Sequence, residues 1–218
     1  MGLLIVFEGI EGCGKTTQIQ LLADDLKRRH ISVTVTREPG GTTIGEEIRS
    51  IFLRCENRDI LPITELALIT AARAQHIHQV IKPALNAGHV VLCDRFIDAT
   101  RVYQGYAGGV PCDIIEQSHM LFCEGMQPDL TILLDCPASI GLDRSRTRNN
   151  ECGIALREGR FEEKNISFHE LVRQGYLRLA AEEPQRFVTV DATAPVTTVY
   201  SILLDSVVQR LQENGYAV

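Results

Sequence analysis

Residues Gly9 to Thr16 read Gly-Ile-Glu-Gly-Cys-Gly-Lys-Thr, which fits the pattern G-x-x-x-x-G-K-[ST]. An apolar run, residues 3–7, stands immediately before it, and a helical pattern opens at Thr16. A strand feeding a glycine-rich turn that opens a helix is the setting in which this pattern forms a phosphate-binding loop, or P-loop. The glycines let backbone N–H groups turn inward toward phosphate oxygens, and the helix N-terminus adds partial positive charge. Gly9, Ile10, Glu11, Gly12, Cys13, Gly14, Lys15, Thr16 and Thr17 are therefore expected to cradle a nucleotide's phosphates. Lys15 is placed for the terminal phosphates, and the Thr16 hydroxyl for Mg²⁺. Such a loop also commits the chain to an α/β fold, with its ligands beyond the carboxyl ends of the strands.

The rest of the chain keeps that rhythm. Strands are expected at 3–7, 32–36, 89–93, 130–134 and 187–190. Helical spacing appears at 16–29, 44–54, 63–87, 112–125, 138–148, 167–183 and 196–212. In the first of these helices Ile19, Leu22 and Leu26 fall on one side and Asp24, Lys27 and Arg28 on the other. Pro83 should kink or break the third. Short apolar strands alternating with helices give a three-layer α/β fold, a five-stranded parallel sheet flanked by helices, in a single domain over residues 1–218. Polar groups then collect at one edge: residues 8–16 after the first strand, Arg37 and Glu38 after the second, Asp94 and Arg95 after the third, and Asp135 after the fourth. Residues 147–164 break the rhythm. They are polar, carry Gly153 and Gly159, and read as a mobile lid.

Composition narrows the function. The chain has 218 residues, a net charge of −6 and a pI near 5.5. A broad nucleic-acid or acidic-membrane surface does not fit that charge. No apolar run is long enough for a membrane span, and the N-terminus lacks the basic start of a signal peptide. The seven cysteines are odd in number and contain no CxxC pair, which suits free thiols in the cytoplasm. His76 and His78 are two residues apart, on different faces of a helix, and make no metal site. Basic residues are 18 Arg against 4 Lys, a bias toward planar, bidentate donors for phosphate and carboxylate.

Several blocks together resemble the bacterial thymidylate (dTMP) kinases. They are Glu8-Gly9-Ile10-Glu11-Gly12, Thr36-Arg37-Glu38-Pro39-Gly40-Gly41-Thr42, Ala71-Ala72-Arg73-Ala74-Gln75 and the run from Asp94-Arg95-Phe96 to Tyr103-Gln104-Gly105. Pro128-Asp129-Leu130, Gly141-Leu142-Asp143-Arg144 and Arg160-Phe161-Glu162 continue the likeness over nearly the whole chain. The resemblance implies the nucleoside-monophosphate-kinase fold, ATP as phosphate donor, Mg²⁺, dTMP as acceptor, dTDP as product and a homodimer. It implies that Arg95 holds the acceptor phosphate and Arg73 reads the thymine ring. Thr100 and Gln104 would contact the base, and Tyr103 would lie under the deoxyribose. Glu11 would sit near the sugar 3′-hydroxyl and metal, and Asp94 would partner Mg²⁺ or its water. Read from the residues themselves, Arg95 at a strand end, with Arg37 nearby in the fold, is expected to supply bidentate cations for the acceptor monophosphate, with Glu38 and Pro39 on the same side. Arg144 and Asp191 would lie on the adenine side. Ion pairing of Arg37, Arg73 and Arg95 with Glu38 or Asp94 is the alternative use of these arginines. One departure stands out: Ile69 occupies the place of a phenylalanine that stacks on thymine in the family, so the aromatic contribution of about 0.5–1.5 kcal/mol is absent.

In that family a catalytic arginine stands either inside the P-loop or on the lid. Here the loop interior, Ile10-Glu11-Gly12-Cys13, has none, so the lid is expected to supply it, with Arg160 and Arg148 as candidates. A kinase for other or broader pyrimidine monophosphates is a second reading, permitted by Ile69. A nucleotide-binding switch protein is a third, against which no NKxD base-reading stretch is present.

Overall fold

A computed structural model describes residues 2–152 and 159–217, and the side chains of 148–152 fall outside that description. Five strands form one sheet: β1 (Leu3–Glu8), β2 (Val33–Arg37), β3 (Val90–Asp94), β4 (Leu130–Asp135) and β5 (Phe187–Asp191). Their order is β2-β3-β1-β4-β5, and every pairing is parallel. Central β1 is buried along its whole length, because successive side chains enter two different cores. Leu3, Ile5 and Phe7 join Leu22, Leu26, Leu203 and Leu211, while Leu4 and Val6 join Leu66, Ile77, Ile81, Phe96 and Ile115. Each such side chain contributes about 1.5–3 kcal/mol by leaving water.

The helices are α1 (Lys15–Arg28), α2 (Thr43–Leu53), α3 (Pro62–His76), α4 (Lys82–Asn86), α5 (Ile97–Thr100), α6 (Cys112–Cys123), α7 (Ala138–Cys152), α8 (Ile166–Glu182) and α9 (Val196–Glu213). Helices α1 and α9 pack on the first core, and α3, α4 and α6 on the second. The helical reading of 63–87 holds, with one modification: a wider, π-type turn at Ile77–Ile81 joins α3 to α4. Pro83 accounts for it. The proline lacks an N–H and its ring would crowd the carbonyl four residues back, and a widened turn relieves both.

Two differences from the sequence reading bear on the site. Helix α7 runs on to Cys152, so the first part of the expected lid is an extension of a helix; residues 153–158 lie outside the described residues. And α5 runs into a second π-type turn, Arg101–Tyr106, where no helix was expected. This segment is started by a distant residue: the Glu8 carboxylate accepts the Phe96 and Ala99 N–H groups at 2.8 and 3.2 Å. No helix of the described residues is long and apolar enough to cross a membrane.

Candidate active site

The phosphate loop forms between β1 and α1. Gly12 has φ +70°, and a Cβ there would stand 2.0 Å from the Gly141 carbonyl oxygen, so only glycine fits. Gly14 caps α1 without a side chain, which leaves the helix's first N–H groups to a ligand. The Lys15 ammonium is buried and donates to the carbonyl oxygens of Gly9 and Ile10 at 3.1 and 2.9 Å, with Cys13 Sγ 3.6 Å away. Cys13 is a free thiol. The Thr16 hydroxyl donates to Asp94 at 3.4 Å, which joins the loop to the end of β3. Among the described residues no cluster of three or more His, Cys, Asp or Glu could hold a metal alone. A hydroxyl and a carboxylate side by side are hard oxygen donors of the kind Mg²⁺ uses when phosphates complete its shell.

Arg95 follows β3 directly, with a left-handed backbone (φ 69°) fixed by its N–H bond to the Phe7 carbonyl at 3.0 Å. Its guanidinium donates to the Tyr176 hydroxyl at 3.0 Å and to Glu11 Oε1 at 3.2 Å, and lies 4.9 Å from the centre of the Tyr103 ring. Tyr103 also donates to Glu11 Oε1, at 2.7 Å, and His169 Nδ1 stands 3.3 Å from Glu11 Oε2. Burial alone would raise the Glu11 carboxyl's pKa; the contact with His169 and the charges of Arg95 and Lys15 outweigh it and hold the group well below the usual range. Beneath this layer sits Glu8, wholly buried, bonded to Phe96, Ala99 and the Tyr176 hydroxyl (2.7 Å). Burial pushes its pKa up to about 7 despite the opposing charge of Arg95.

The expected base side is built on α3. Glu65, Ile69 and Arg73 recur every four residues and are all buried. Arg73 Nε donates to Glu38 at 2.6 Å, and Nη2 to the Phe96 carbonyl and the Thr100 hydroxyl at 3.1 and 2.8 Å. Glu38 also pairs with His76 at 2.9 Å, and His76 meets the Thr36 hydroxyl at 2.5 Å. Burial works against ionising Glu38, yet Arg73 and His76 keep its pKa lowered. Glu38 thus orients Arg73 from below. The Glu38–Pro39 peptide is cis. Ile69 packs in the core cluster that holds Phe52, Tyr103 and Phe161.

Two residues differ from expectation. Arg37 does not join Arg95: it ends the edge strand β2, and its exposed guanidinium pairs with Glu46 of α2 at 2.9 Å. Arg160 is not a free lid arginine. It is buried, pairs with Glu65 at 2.6 Å, donates to the Phe52 carbonyl at 2.7 Å, and is stacked between the rings of Phe52 and Phe161. A guanidinium desolvated and paired in this way is held in place. For Arg148 the side chain lies outside the described residues. Arg144 donates to the Ala192 carbonyl at 2.9 Å, which brings it to the segment containing Asp191; Asp191 itself bonds Thr193. Glu8, Glu65, His76, His169 and Tyr176 complete the site and were not singled out from the sequence as site residues.

A family model described as thymidylate kinase matches residues 7–202. The thymidylate kinase of Trichlorobacter lovleyi is 51% identical over 96% of this chain and 98% of its own length. That of Pelobacter propionicus is 49% identical over the full length of both. The crystal structure of thymidylate kinase from Ehrlichia chaffeensis superposes with a TM-score of 0.74 at 31% identity, covering 94% of this chain and 98% of that one.

Proposed function

The chain belongs to the thymidylate kinase family, and from that premise we propose that it transfers the terminal phosphoryl group of ATP to dTMP, giving dTDP. One observation carries this reading. The phosphate loop and Arg95 meet at a single seam, the carboxyl ends of β1 and β3, where Thr16 bonds Asp94 and the next residue is Arg95. Phosphoryl transfer between two anionic nucleotides needs that adjacency, with cations for each partner.

The loop N–H groups, with Lys15, hold the donor's phosphates. Thr16 and Asp94 are the residues that would hold Mg²⁺, which neutralises charge on the donor phosphates when bound. Arg95 holds the acceptor phosphate. Its tethers to Tyr176 and Glu11 fix its direction before substrate arrives, so little ordering is left for the reaction itself. The acceptor needs no strong general base, because a phosphate monoester oxygen is already largely ionised near neutral pH. Tyr103, over which Arg95 lies, walls the space for the sugar; Thr100, Gln104 and Arg73 line the base side, with Ile69 between. Pro39 borders the acceptor side, and Arg37 stands on its rim. Arg144 and Asp191 border the adenine side. Of the two arginines considered for the transferring phosphoryl group, Arg148 has its side chain outside the described residues, and Arg160 acts instead from beneath the base pocket.

Assembly is proposed as a homodimer. The outer side of α6 exposes Met120, Leu121 and Phe122, apolar surface that a second copy would cover. Cys13, a free thiol inside the phosphate loop, suits the reducing cytoplasm. A coupled ADP-release assay across dTMP, dUMP, UMP and CMP tests the reading. Fast, Mg²⁺-dependent turnover with dTMP is expected. Equal turnover with UMP or CMP would favour the broader pyrimidine kinase that Ile69 permits, and no acceptor-stimulated ATP use would overturn the reading.

A further inference from the structure

Beneath the base side of the acceptor pocket lies a chain of buried polar groups whose orientation is dictated by charge. Arg160 Nη1 donates to Glu65 Oε1 at 2.6 Å, and Glu65 Oε2 accepts from Gln104 Nε2 at 2.8 Å. Gln104 is 1% exposed and Glu65 8%. A carboxylate paired with a guanidinium offers acceptors only, so the NH₂ end of the Gln104 amide is the end that can face it. The amide oxygen, Oε1, is thereby turned away from Glu65. It is buried and has no hydrogen-bond partner among the described residues. Native proteins seldom leave such an atom unpaired, and a donor on a ligand is what would satisfy it.

We propose that Glu65 and Arg160 are positioning residues for base specificity: they lock Gln104 so that the pocket presents an acceptor to the pyrimidine edge. Thymine and uracil carry a donor, N3–H, and satisfy it. Cytosine carries a lone pair at N3 and leaves two acceptors facing each other. Arg160 holds Glu65 in place, and so acts on the base through two intervening side chains. The proposal rests on the dTMP kinase reading, and it adds the residues that set the amide's direction.

The test compares dTMP with 5-methyl-dCMP, which differs from it only at the N3 and C4 edge. Wild-type enzyme should prefer dTMP by on the order of 10⁴ in kcat/KM, as sites built around a buried hydrogen bond do. In Glu65→Gln the neighbour is neutral and offers both a donor and an acceptor. Gln104 can then turn over, and the preference should fall at least about tenfold. The exchanged pair, Glu65→Gln with Gln104→Glu, returns an acceptor to position 104 and should restore much of the preference. A purely structural role for Glu65 would lower the melting temperature and leave the ratio of the two substrates unmoved, which would overturn the proposal. So would wild-type enzyme that accepts 5-methyl-dCMP as readily as dTMP, a result that needs no variant to fold. Wild-type enzyme inactive on dTMP would remove the underlying reading as well.

Discussion

Replacing Arg95 by alanine should slow the reaction by two to four orders of magnitude in kcat/KM for dTMP. A guanidinium has five N–H groups. Two of them are used on Tyr176 and Glu11, at 3.0 and 3.2 Å, which leaves enough for two bonds to a phosphate. Charge-assisted bonds contribute about 1.5–3 kcal/mol each, so losing two costs about 3–6 kcal/mol. At about 1.4 kcal/mol per tenfold, that is the stated loss. Lysine keeps the charge but not the fork, and Arg95→Lys should recover about a tenth to a hundredth of the wild-type rate. The assay is steady-state ADP release with dTMP and ATP varied separately. The KM for ATP should move less than about threefold, because Arg95 stands on the acceptor side of the seam. An alanine variant within tenfold of wild type would refute the assignment of the acceptor phosphate to Arg95.

Other expectations follow from single contacts. Gly12→Ala forces a Cβ against the Gly141 carbonyl oxygen in a left-handed backbone, a conformation that alone costs roughly 1–2 kcal/mol; ATP affinity measured by titration calorimetry should fall at least tenfold, and unchanged affinity would show that the loop does not hold the phosphates. Ile69→Phe should lower the KM for dTMP by about two- to tenfold if a ring there stacks on the base; a raised KM would show that Ile69 is packed too tightly against Phe52 and Phe161 to yield. Glu8 makes stability depend on pH. Its carboxyl keeps a proton up to about pH 7 in the folded chain, whereas the unfolded chain releases it near 4.5. The native state binds the extra proton between those values, so stability falls as pH rises from 4.5 to 7 and stays lower above, by roughly 3 kcal/mol. Glu8→Gln removes this slope, and parallel melting curves against pH for the two proteins would contradict it. Glu38 works in the opposite sense: its lowered pKa gives stability that is present above about 4.5 and lost as pH falls further.

Local chemistry made the phosphate loop and the strands legible. The glycines, lysine and threonine of the phosphate loop fall within the eight residues 9–16, the central strands β1, β3 and β4 are short apolar runs, and edge strand β2 shows as an alternation of valine and threonine. Family likeness supplied Arg73, Arg95, Tyr103 and Gln104. The residues that escaped notice act across long separations. Tyr176 reaches Glu8 over 168 positions, and Arg160 reaches Glu65 over 95. Their roles depend on which helix packs over which strand end, and periodicity is silent on that. An acidic residue ending a wholly apolar strand, as Glu8 does, was the available signal. Arg160 misled for a related reason. Its place among other arginines in a polar stretch suggested solvent and motion, while Phe52, Phe161 and Glu65, all distant or individually unremarkable in sequence, bury it.

The central claim is that donor and acceptor phosphates lie end to end across the β1–β3 seam. A molecule that joins adenosine and thymidine through one continuous chain of phosphates spans both halves, and calorimetric titration of it measures the claim directly. One molecule per chain is expected, bound at least a hundredfold more tightly than ATP or dTMP alone, with most of that gain lost in both Lys15→Met and Arg95→Ala. Binding no tighter than that of the separate nucleotides, or a gain untouched by either substitution, would contradict it.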